Sequence, residues 1–161
     1  ARLSGITCYM TKFVLYECLH KPRKSISDPE KELITRLKKI VDDKHFIHID
    51  VSIQDIQDFE RQNKTDGIGK GELSCIIFAQ KYKQAILTDD QKARRIAELI
   101  IERRFVQTVP YLVGWLTFNG DLLDEDINKI IEEHNLFNRN LERYLKDCFH
   151  KGLEQRLCVQ R

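Results

Sequence analysis

The stretch GKGELSCIIFAQKYKQAILTDDQKARR, residues 69–95, decides how the rest of the chain is read. A glycine-bearing turn leads to Glu72, and Leu73, Ile76, Ile77 and Ala79 then follow on one helical face. The short apolar run 84–88 has strand character and ends in the adjacent acids Asp89 and Asp90. The spacing predicts a helix over 72–82, a strand over 84–88 and another helix over 90–102. Carboxylates thus stand at both junctions of one helix–strand–helix unit. Asp is a poor strand residue and carboxylates do not help a core, so their placement needs a reason.

Two reasons compete. Glu in a first helical turn is favoured by the helix dipole, and an Asp between strand and helix is an ordinary N-cap. One cap suffices, however, and the doubled Asp leaves a second acid without that role. In an open parallel sheet, ligands bind beyond the carboxyl ends of the strands. Glu17, Glu72 and the Asp89–Asp90 pair can reach that edge from three separate segments. Carboxylates gathered there raise one another's pKa unless a cation sits between them. Oxygen ligands with no accompanying Cys or His favour Mg²⁺ or Mn²⁺, which suit phosphoester hydrolysis.

Upstream, residues 5–11 read as a short strand, followed by a helix that carries Glu17 and stops at Pro22. Ser27 or Asp28 can cap the next helix, with Pro29 in its first turn and Leu33, Ile34, Leu37, Ile40 and Val41 on one stripe. A strand is expected over 46–50 and a helix over 52–61, with Ile53, Ile56 and Phe59 inward. Downstream, a strand over 105–109 is expected to stop at Pro110. The remainder is helical in pattern, with Gly114 and Gly120 as breaks and a long final helix from about Phe137, whose apolar stripe includes Leu141, Tyr144, Leu145 and Phe149.

Strands separated by helices mean parallel βαβ crossovers. The expected fold is α/β, a three-layer α/β/α sandwich around a central, mainly parallel sheet, plus a C-terminal helical extension. The expected domain organisation is residues 1–135 as the α/β domain, with 136–161 as the extension packed on it. A dimer or partner contact is the alternative for that final helix. Composition fits a single globular domain: 161 residues, 42% hydrophobic and 32% charged, with a net charge of +2 that excludes a global basic field for a polyanion. Five scattered Cys without a CxxC pair argue against a disulfide framework or a Cys-based zinc site, and for a reducing compartment. No apolar stretch approaches a membrane span. The glycines of 67–71 lack the spacing and the Lys-Ser/Thr pair of a phosphate-binding loop.

The run G-x-G-K-G-E at 67–72, Ala79, and then ILTDDQKARRIA at 86–97 resemble the PIN-domain nucleases. ITCYMTKFVLYECL, residues 6–19, resembles that family's second strand and following helix, and VPYLVGWLTFNGDLLDEDINKII, residues 109–131, is similar to the region after its last strand. The resemblance covers about residues 5–131 and implies a compact α/β/α fold that gathers acids around Mg²⁺ or Mn²⁺ to cleave RNA. It implies Glu17 as the second acid, Glu72 as the third and Asp90 as the fourth, with Asp89 supporting or substituting. Thr88 matches the small hydroxyl residue before the last acid. Lys70, Thr88, Arg94 and Arg95 are candidate substrate contacts, although a solvated helix face is the default reading for the arginines. The resemblance also implies an antitoxin or other protein partner; the cysteine pattern leads to the expectation of a cytoplasmic protein, and the final helix to that of a possible homodimer contact.

One departure stands out. The family's first acid closes an N-terminal strand, and no Asp or Glu precedes Glu17 here. The start at Ala1 rather than Met leads to the expectation that a first strand is missing from this chain. The expected function is a metal-dependent endoribonuclease of PIN type, with the toxin of a toxin–antitoxin pair as one form of it. The alternative is a catalytically inactive PIN-like scaffold that binds RNA or a protein. A response-regulator-like or nucleotide-binding domain is weaker, because it needs a Lys after a later strand and none of the expected strands ends in one.

Overall fold

A computed structural model of the chain describes residues 6–159. They are mixed α/β and mostly helical, and the chain divides into two compact units, one ending at Val106 and the other starting at Gln107.

The first unit opens with β1 (Tyr9–Thr11), which runs straight into α1 (Lys12–Leu19). Thr11 ends the strand and caps the helix, its side chain accepting a hydrogen bond from the Val14 N–H. The strand is shorter than expected, and Gly5 lies outside the described residues. Next, α2 (Asp28–Asp42) starts at Ser27 with Pro29 in its first turn, and Glu30 reaches back to close a capping box. Its apolar stripe is only partly covered: no residue of α2 is buried, and Leu33 and Ile40 are exposed.

The strand β2 (Ile47–Ile49) pairs in parallel with β1, setting Tyr9 opposite Ile47 and Thr11 opposite Ile49. A second capping box, Ser52 with Asp55, starts α3 (Ile53–Gln62), which buries Ile56 and Phe59. Ile53, expected inward, is exposed instead, because it is the first helical residue and precedes the packed turn.

The hub of this unit is α4 (Lys70–Tyr82). It begins two residues before the expected start because Gly69 takes the N-cap position, and its C-cap, Lys83, turns left-handed at φ 52°. Leu73 and Ile76 are wholly buried, and Gly71, Ser74, Ile77, Phe78 and Ala79 are buried beside them. The remaining elements are β3 (Ile86–Leu87), α5 (Gln91–Ile100), a 3₁₀ turn (Arg103–Phe105) and β4 (Val106–Gln107). Ile86, Ala93, Ala97, Ile101 and Val106 share one apolar core with α3 and α4.

A single central sheet was expected. The described strands form two small parallel sheets, β1 with β2 and β3 with β4. Strands of two or three residues offer few ladder hydrogen bonds, so apolar packing on α4 carries more of the organisation than the sheets do. Pro110 does not end a strand. It fills the first turn of α6 (Val109–Asn119), where a missing N–H costs nothing.

In the second unit, α6, α7 (Asp124–Leu136) and α8 (Glu142–Val159) surround their own core of Val113, Leu122, Ile127, Ile131, Leu145 and Phe149. Gly120 does end a helix, at φ +83°. Gly114 was expected to break one, but it lies inside α6. Its reason is proximity to α8, since a Cβ there would lie 2.9 Å from the Cys148 carbonyl oxygen. The final helix starts at Glu142 rather than Phe137, which is the C-cap of α7. Of its stripe, Leu145 and Phe149 are buried while Tyr144 is exposed.

Candidate functional site

Building begins where β1 ends. Thr11 and Ser74 are buried hydroxyls whose oxygens lie 2.7 Å apart, and Ser74 Oγ donates to the Gly71 carbonyl at 2.7 Å. With Ser74's proton spent on Gly71, Thr11 is the donor between the two hydroxyls. The chain of bonds ties the strand's carboxyl end to the first turn of α4 and leaves both hydroxyls satisfied.

That first turn is where the acids meet. A helix start leaves its leading N–H groups without partners inside the helix. One of them, the Gly71 N–H, donates to Oε1 of Glu17 at 3.3 Å, across 54 residues of sequence. Glycine is required for this approach. A Cβ on Gly71 would run into Glu17 Oε2 and lie 3.0 Å from Glu17 Cδ, and a Cβ on Gly69 would run into Glu72 Oε2. The same point beside Gly69 is 3.8 Å from Glu17 Oε1. Glu17 and Glu72, both half-buried, therefore converge on the 69–71 turn from α1 and α4.

The other expected site residues hold different positions. Asp90 caps α5, accepting from the Ala93 N–H at 2.8 Å, and its own N–H donates to Thr88 Oγ1 at 3.2 Å. This is the ordinary capping reading, realised for the second Asp of the pair. Asp89 is half-buried. Among the described residues, no three His, Cys, Asp or Glu groups are drawn together closely enough to hold a metal ion. The two regions are adjacent nonetheless: Lys92, in the first turn of α5, sets its Nζ 2.9 Å from where a Cβ on Gly67 would stand, in the loop that leads into α4. Lys70 is exposed at the first position of α4. Arg94 pairs with Glu98 one turn along α5 at 3.8 Å, an ordinary surface contact, and Arg95 is exposed.

Three contributors were missed by sequence reasoning. Gly69 and Gly71 were visible as alternating glycines, and that alternation was the signal for close approach by carboxylates. The Thr11–Ser74 bond had no signal, since neither hydroxyl sits in a recognisable motif. Arg23 had none either: it donates to the carbonyls of Glu17 at 3.4 Å and Cys18 at 3.1 Å.

Burial acts first on the thiols beside this turn, and the glutamates add to it. Burial pushes the Cys75 thiol above its ordinary value; its hydrogen-bond contacts with Thr11 and Ser74 oppose this, and Glu72 and Glu17 reinforce it. Cys18 is also raised, first by burial, with Arg23 opposing and both glutamates adding. A thiol must ionise to react. Iodoacetamide at pH 8 is therefore expected to alkylate the exposed Cys158 first and Cys75 last, with peptide mass spectrometry over time as the check.

No described helix is long and apolar enough to cross a membrane. Comparison with protein-family models, curated proteins and solved structures finds no match.

Proposed function

We propose that the chain is a metal-dependent endoribonuclease of the PIN type, hydrolysing RNA phosphodiester bonds. The observation that carries this reading is the meeting of Glu17 and Glu72 at a turn where Gly69 and Gly71 leave room for both carboxylates. The donor set fits the group. Two carboxylates suit a hard cation, and a carboxylate whose Oε1 takes one amide hydrogen bond retains lone pairs for a metal. Glu17 and Glu72 would hold Mg²⁺ or Mn²⁺, with Asp90 and Asp89 completing the acidic edge. When bound, the ion neutralises phosphate charge and activates water.

This chain's own residues supply the rest. Lys70 and Lys92 bring positive charge to the 67–70 turn, and Thr88, Arg94 and Arg95 flank the Asp90 side of the same edge. That charge is local, as a protein of net charge +2 requires in order to bind a polyanion. The finer fold in this reading is a three-layer α/β/α sandwich in which the β1–β2 and β3–β4 pairs belong to one central sheet. Contact of both pairs with α4 supports it. The same reading makes the protein cytoplasmic, with an antitoxin or other protein as its partner.

Asp90 provides the test. Asn caps a helix as well as Asp does, so Asp90→Asn removes charge and keeps the cap, whereas Asp90→Ala removes both at about 1 kcal/mol of stability. On this reading Asp90→Asn slows Mn²⁺-dependent RNA cleavage without moving the thermal midpoint. Unchanged turnover in Asp90→Asn would remove that acid from the site. The second reading, a non-catalytic PIN-like scaffold binding RNA or protein, draws on the engagement of Asp90 and Thr88 in capping. It expects RNA binding without cleavage in every variant.

A further inference from the structure

We propose that Arg23 is a positioning residue for Glu17, a guanidinium strap that holds the last turn of α1 so that the carboxylate stays on the first turn of α4. The inference rests on the metal-site reading above.

Arg23 lies in the connection between α1 and α2. Its Nη2 donates to two main-chain oxygens, those of Glu17 and Cys18, which a helix end otherwise leaves without partners. A cation at a helix C-terminus is also favoured by the dipole. Nη1 lies 4.0 Å from Glu30 Oε1, and Oε2 of the same carboxylate accepts from the Ser27 N–H at 2.8 Å and the Ser27 hydroxyl at 2.9 Å. Glu30 is thus anchored in the capping box of α2. It steadies the guanidinium, and the guanidinium holds the residue that carries the site's carboxylate.

The strap matters because packing on α4, through Phe13 and Val14, holds the first turns of α1 and not its last one. The helix is eight residues long, and no residue in it is buried. Helices that short do not persist alone. Thr11 secures its start through the bonds to Val14 and Ser74, and Arg23 secures its end. Glu17 lies between the two, much nearer the Arg23 end. A lysine has the charge but cannot reach two carbonyls and a carboxylate at once with a planar fork.

Calorimetric titration of Mn²⁺ into wild type, Arg23→Ala, Arg23→Lys and Glu17→Gln tests the proposal, with thermal unfolding of each variant beside it. Arg23→Ala is expected to weaken Mn²⁺ binding about tenfold, as outer-shell contacts to metal ligands do. Arg23→Lys is expected to recover part of that loss, and the thermal midpoint to stay near wild type because the guanidinium is partly exposed. If Arg23→Ala binds Mn²⁺ as wild type does while Glu17→Gln does not, the strap is overturned and the metal site stands. If wild type binds no Mn²⁺, or Glu17→Gln binds it equally well, the metal reading falls and takes the strap with it.

Discussion

Gly152→Leu is expected to unfold the C-terminal helical unit, at a cost of at least about 3 kcal/mol, the upper end of the range for overpacked cores. Gly152 is buried in α8 where it crosses α6. A Cβ there would collide with the Gly114 carbonyl oxygen and lie 2.9 Å from Thr117 Cβ. Neither obstacle can swing aside. The first is helix backbone. The second belongs to a wholly buried residue whose Oγ1 donates to the Val113 carbonyl at 2.8 Å. The helices must separate instead, which opens the core of Val113, Leu145 and Phe149 to water. Urea titration followed by far-ultraviolet circular dichroism should show a lost or early transition for this unit. A wild-type transition would mean that α6 and α8 do not meet at these glycines.

Gly71→Ala is expected to do the reverse, sparing stability while impairing the site. The added Cβ would meet Glu17 Oε2, the far end of a flexible side chain, with Val14 Cγ2 at 3.3 Å. Glu17 can swing away, and Ala gains about 1 kcal/mol over Gly in helix propensity, so the net change in stability should be small. The carboxylate, however, loses the Gly71 N–H and its place beside Glu72. Mn²⁺ affinity and RNA cleavage should each fall at least about tenfold. The two glycine substitutions thus separate by what the new atom meets: main chain in one case, a side-chain tip in the other.

The features legible in the sequence were those whose causes are local. Ser27 with Pro29 announces a helix start, and apolar spacing marks the helix expected from Ser52; both helices begin within a residue of those positions. The apolar periodicity after Glu72 marks α4, although Gly69 as N-cap starts it earlier. Long-range causes were illegible. Gly114 reads as a helix break until α8 is packed against it, and Pro110 reads as a strand stop until α6 forms around it. In the candidate site, the structure places Glu17 at the first turn of α4, beside Glu72. Asp90 could be read either way, and its carboxylate is occupied in capping α5. Arg23 could not be read at all, because its partners are carbonyl oxygens set by the fold.

The central claim is that Glu17 and Glu72 form the acidic heart of an RNA-hydrolysing site. Cleavage of a mixed-sequence, end-labelled RNA by the protein with Mn²⁺, with and without EDTA, tests it most directly when run beside Glu72→Gln. Glu72→Gln keeps the side chain's size and removes its charge. The account predicts Mn²⁺-dependent internal cleavage by wild type, its loss in EDTA, and a rate roughly a hundredfold lower in Glu72→Gln. Equal cleavage by wild type and Glu72→Gln, or no cleavage by Mn²⁺-treated wild type, would contradict it.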